Sequence, residues 1–144
     1  MVDRLVFFFA ALLAFAFAAC THEDAGGTAL RPTSWTGVSK RSGIVATVAP
    51  EQGPPQINKF QTWILQLRQS DGTPVYPARI GINGGMPDHG HGLPTRPEVT
   101  QYLGEGKYRV EGLKLNMMGQ WVLLFEVTTP SGKDRIQVDL ELAW

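Results

Sequence analysis

Cysteine is almost missing from this 144-residue chain: Cys20 is the only one. One cysteine forms no intramolecular disulfide and no thiolate zinc cluster, so a folded domain here must be held by a packed core. Net charge is missing as well, with Lys+Arg 13 against Asp+Glu 13. Without a basic field to hold phosphates, nucleic acid is not expected as a partner. Beyond the N-terminus no long segment has a helical period, and there is no internal repeat. No G-x-S-x-G elbow, G-x-G-x-x-G or P-loop occurs, and Glu98, Glu105, Glu111 and Glu126 read as solvated strand or turn residues rather than a carboxylate pair. The chain is therefore not expected to be an enzyme. Histidine and methionine are scarce too, three and four in number, and that makes their placement informative.

The first twenty residues, MVDRLVFFFAALLAFAFAAC, carry Arg4 and then an unbroken apolar run from Leu5 to Ala19. The run is short of the about 20 apolar residues that a membrane-spanning helix needs, and it has the form of a secretory signal peptide over 1–19. Cys20 follows Phe17-Ala18-Ala19, which resembles a bacterial lipobox, where the cysteine is lipidated and becomes the first mature residue. Asp3 offsets Arg4, and position 17 is phenylalanine where leucine is usual; ordinary cleavage leaving a free thiol is the other reading. Thr21 after the cysteine, by resemblance to enteric sorting rules, points to the outer membrane, facing the periplasm. The expected address is thus the bacterial envelope, with the membrane as a partner through a lipid anchor.

Removing the signal leaves 125 residues (144 minus 19), enough for one core but not two. Residues 20–42 are polar and small, with Gly26-Gly27 and Pro32, and read as a lipidated cysteine and flexible tether in which Trp35 is the exception. His22 in this stretch reads as a solvated residue. From residue 43 the pattern becomes short β-type segments at 44–49, 59–68, 75–83, 98–103, 107–112, 120–128 and 135–143, separated by turns such as Ser70-Asp71-Gly72, Gly104-Glu105-Gly106 and Ser131-Gly132. In the last segment Ile136, Val138, Leu140 and Leu142 alternate with polar residues, which predicts one buried and one wet face. Segment 120–128 is apolar on both faces, so it should be a central strand. About seven strands joined by short turns predict an all-β fold, an immunoglobulin-like antiparallel β-sandwich spanning 43–144.

Two of the three histidines and one methionine fall within Met86-Pro87-Asp88-His89-Gly90-His91, and two more methionines are adjacent at Met117-Met118. Imidazole nitrogen and thioether sulfur are neutral donors that copper prefers to oxygen. In an antiparallel sandwich successive connections alternate between the two ends, and counting from segment 75–83 puts 84–97 and 113–119 at the same end. His89 and His91, two apart, would project to one side of an extended stretch and form a clamp. A methionine donor added to them favours Cu(I), whereas Asp88 would supply oxygen to Cu(II) or zinc, or orient a histidine from behind. Methionine in a β protein also serves as core filler, and histidine in a glycine-rich loop as a plain turn residue, so a module without metal that docks a protein or ligand of the envelope is the alternative.

The loop 86–94, then Gly106-Lys107-Tyr108, then Asn116-Met117-Met118-Gly119-Gln120-Trp121, resembles the YtkA-like family, whose pattern has Met-Pro-x-His-Gly-His-Gly, Gly-x-Tyr and Met-x-Gly-x-Trp in this order. The resemblance covers roughly 58–144. It implies a secreted or membrane-anchored β-sandwich akin to FixH-type and other accessories of copper handling and oxidase assembly, with a copper-accepting membrane or periplasmic protein as partner. Carried over, it points to Met86, His89, His91 and one of Met117 and Met118 as ligands, with Trp121 as a core anchor beneath the site.

Overall fold

The computed structural model describes residues 33–143. The signal peptide, Cys20 and His22 lie outside these residues. Nine strands occur: β1 Trp35–Val38, β2 Val45–Pro50, β3 Phe60–Arg68, β4 Arg79–Met86, β5 His91–Gly92, β6 Glu98–Gly104, β7 Lys107–Lys114, β8 Gly119–Thr129 and β9 Gly132–Leu142. They form two antiparallel sheets, a five-stranded one in the order β1-β2-β3-β7-β6 and a four-stranded one in the order β5-β4-β8-β9. This is the expected all-β sandwich, with β2, β3, β7, β4 and β8 in the interior of the sheets and the short strands β1 and β5 at edges.

Alternation decides which side chains meet between the sheets. Trp63, Leu65 and Leu67 of β3 face Trp121, Leu123, Phe125 and Val127 of β8 and Ile136, Val138 and Leu140 of β9 across one continuous core, each at most 1% exposed. Burying a large apolar side chain of this kind contributes about 1.5–3 kcal/mol. On the outer face of β8, Val122 and Leu124 are half-buried, as its central place between β4 and β9 requires.

Three features differ from the sequence reading. The stretch expected to be tether as far as residue 42 contains β1, paired with β2 from Trp35↔Val48 to Val38↔Val45. Its alternation is too short to register against a polar background, and Trp35 packing at a tilt against Trp63, with ring centroids 5.9 Å apart, is what recruits it. At Gly37 the backbone comes so close to β9 that a Cβ would lie 1.9 Å from the Gln137 carbonyl oxygen, so β1 bridges the two sheets along one side. The segment expected as a strand from residue 75 starts only at Arg79: Pro74 makes an isolated bridge with Arg68 of β3, and Pro77 has no N–H to give to a ladder. Finally, β4 runs three residues further than expected, to Met86, and the loop after it contains a 3-10 turn over Pro87–His89 and the two-residue strand β5.

Candidate metal site at the loop end of the sandwich

The β4–β8 pairing runs from Arg79↔Thr128 to Gly85↔Val122, so the end of β4 lies beside the start of β8. The connections 87–97 and 115–118 therefore meet at one end of the sandwich, as strand parity predicts. Met86 closes β4, is 1% exposed, and continues the register to a place beside Trp121. On its other side it pairs with His91 of β5. Residues directly opposite share a face, so Met86, His91 and Trp121 form a row on the inner face at the rim. Gly119, at φ +115, makes room for this: a Cβ there would lie 3.0 Å from the Met86 Cε. The thioether of Met86 thus reaches across the row to the start of β8, next to the second loop.

The two histidines do not sit in one extended stretch. His89 ends the 3-10 turn and His91 begins β5, with Gly90 between them at φ 66, ψ 22, a left-handed conformation that glycine adopts without steric cost. The turn closes through the Gly90 N–H donating to the Pro87 carbonyl, and the Leu93 N–H then ties the returning chain to the Gly84 carbonyl. This reversal brings the two imidazole rings together by a different route from the one expected, with centroids 5.8 Å apart. Both histidines are exposed.

His91 is held more firmly than His89. Its ring packs T-shaped against that of Trp121 at 6.0 Å and 66°, and its Nδ1 lies 3.1 Å from the Gly92 carbonyl oxygen. A carbonyl only accepts, so in the neutral ring Nδ1 carries the proton and Nε2 keeps its lone pair for a ligand. Asp88 is exposed on the turn, and among the described residues it makes no hydrogen bond to either imidazole.

The methionine pair divides. Met118 packs against the core and lines a recess with Trp35, Pro54, Ile57 and Leu142, which is the role of an apolar filler. Met117 stays at the surface, 37% exposed, and its carbonyl accepts a 3.0 Å hydrogen bond from Trp121 Nε1. Trp121 itself is fully buried, the anchor expected beneath this end of the domain. Trp121 thus has the His91 ring beside it and the Met117 carbonyl on its Nε1, with Met86 in the neighbouring register position and His89 against His91, while Met118 packs into the core. Sequence reasoning gave no sign of the hydrogen bond between the Trp121 ring and the Met117 backbone, because it is formed by the tertiary meeting of a loop and a strand.

Among the described residues no group of three or more His, Cys, Asp or Glu is placed to hold an ion. At the sheet edge formed by His91, the bare backbone of Gly84 and Gly85 leaves an apolar recess of about 240 Å³ that reaches Val122 and Leu124 on the outer face. No curated protein and no solved structure matches the chain. The family model of YtkA-like proteins matches residues 41–124, a span that begins and ends earlier than the resemblance read from the motifs. It includes both donor loops and Trp121 and covers more than half of the 144 residues. The chain belongs to the YtkA-like family.

Proposed function

We propose that this protein binds one copper ion, as Cu(I), at the loop end of its sandwich, and that it buffers the ion or hands it to an acceptor in the bacterial envelope. The observation that carries the reading is the pairing of the His89 and His91 rings at 5.8 Å beside the buried thioether of Met86, with the Met117 loop fastened to the same indole. The donor chemistry fits: two imidazole nitrogens and one or two thioether sulfurs are neutral, soft to borderline ligands that suit Cu(I) and leave harder ions poorly served. When bound, the ion supplies a positive centre that soft donors of an acceptor can share.

The residues divide the work. His91, fixed by Gly92 and Trp121, presents Nε2 in a set direction. His89 and Met117, at the surface, are the donors an incoming acceptor reaches first. Met86 contributes sulfur from inside, where water is excluded. Exchange requires an acceptor donor to enter the shell, and an exposed rim allows it. The lipid anchor read at Cys20 would hold this activity at a membrane, where a copper-accepting membrane or periplasmic protein is the client.

The test is an anaerobic Cu(I) titration of the protein against a chromophoric chelator, with His89→Ala/His91→Ala and Met117→Leu alongside. One equivalent held by the wild type and weakened in both variants supports the proposal. No competition with the chelator refutes it. Tight zinc binding that ignores the Met117 change would reassign the site to zinc, with Asp88 as the added oxygen donor.

A further inference from the structure

The segment between β7 and β8 is fastened at two points: the Asn58 N–H donates to the Leu115 carbonyl at 2.7 Å, and Gly119 pairs with Leu142 of β9. Between them, the bond from Trp121 Nε1 to the Met117 carbonyl at 3.0 Å fixes the loop. The indole that makes this bond is fully buried and packs T-shaped against the His91 ring at 6.0 Å. One side chain therefore sets both the backbone position of Met117 and the placement of His91, although the two residues stand on connections separated by more than twenty positions. A phenylalanine in the same place would keep most of the packing and lose the bond.

We propose that Trp121 is a positioning residue that latches the Met117 loop to the histidine strand, so that the Met117 thioether is presented to the ion beside His89 and His91 rather than left to a mobile loop. This rests on the copper reading above. The latch acts through Met117, so its removal should matter only while the Met117 sulfur is there to be positioned. A net hydrogen bond of this type corresponds to a loss of roughly three- to tenfold in affinity.

A double-mutant cycle on the whole protein with Trp121→Phe and Met117→Leu, read by anaerobic Cu(I) competition, tests it. Each single change should weaken binding, and the double variant should be no weaker than Met117→Leu. X-ray absorption of loaded Trp121→Phe should show the same reduced sulfur count as Met117→Leu. Independent, additive losses with an unchanged sulfur count would overturn the latch and leave Trp121 a packing residue. Should Trp121→Phe fail to fold, hydrogen exchange at the Trp121 indole N–H gives the answer without it. Cu(I) should slow that exchange in the wild type and not in Met117→Leu, and equal slowing in both would overturn the proposal. Failure of the wild type to compete for Cu(I) at all would instead remove the copper reading, and it is seen before any variant is compared.

Discussion

Tyr108 provides a perturbation whose size follows from the structure. It lies on β7, 2% exposed, at the end of the sandwich away from the histidines, and its hydroxyl donates to the Val75 carbonyl at 2.6 Å. Burial pushes its phenol up to about 12 from an ordinary 10.0, and the neighbouring Tyr102 and Tyr76 add to the effect. Between these two values the unfolded chain has released the proton and the folded chain has kept it. The stabilisation is therefore complete below pH 10 and is lost as pH rises towards 12. At pH 11, about one pKa unit of the shift has been spent, which is about 1.4 kcal/mol. Tyr108→Phe leaves the Val75 carbonyl without its partner and should cost about 1–3 kcal/mol at neutral pH. Phenylalanine cannot ionise, so the gap between wild type and variant should narrow by about 1.4 kcal/mol between pH 9 and pH 11. Urea unfolding followed by tryptophan fluorescence at pH 7, 9, 10 and 11 measures the gap directly. A gap that stays constant over this range would refute the account of the buried hydroxyl. Because the change is remote from the loop end, Cu(I) affinity at neutral pH should stay the same.

Three further outcomes are expected. Gly119→Ala meets both an unfavourable φ of +115 and the Met86 Cε at 3.0 Å, so it should destabilise by about 1–3 kcal/mol and weaken Cu(I) binding by displacing Met86; denaturant midpoints and chelator competition check the two parts. Gly37→Ala, with its Cβ driven onto the Gln137 carbonyl, should cost about 2–3 kcal/mol in chemical denaturation and raise hydrogen exchange across β1, while a neutral result would remove β1 from the domain. Burial pushes the Asp134 carboxyl up, but the Ser39 and Ser42 hydroxyls and the Arg135 N–H donate to it and hold it below its ordinary value. Its contribution is therefore present above the ordinary carboxyl range and lost as pH falls through the lowered value, and Asp134→Asn should flatten the acid limb of a stability profile.

The strands that the sequence announced are those with long period-two alternation. β9 is the clearest, with Ile136, Val138, Leu140 and Leu142 buried one after another, and the two-sided apolar character of β8 correctly marked it as central. Turn chemistry and strand parity were enough to bring 84–97 and 113–119 to one end, because short connections between antiparallel strands leave little freedom. β1 escaped notice since a four-residue strand carries almost no pattern; its place comes from Trp35 meeting Trp63, a contact between residues far apart in sequence.

At the candidate site, residue types alone determined that soft neutral donors cluster in two short segments, and that the chain has no cysteine pair or acidic cluster to compete with them. They left the further donor open between a methionine thioether and the Asp88 carboxylate. They also left open the geometry, and the tertiary structure settled it. A left-handed Gly90 folds His89 back beside His91, where an extended clamp was expected. Adjacent methionines must diverge, and the recess beside Trp35 and Ile57 takes Met118, which leaves Met117 at the rim. The physical reason is general: donor chemistry belongs to single side chains and can be read locally, whereas the position of a donor is set by packing and hydrogen bonds between strands that only the folded chain brings together.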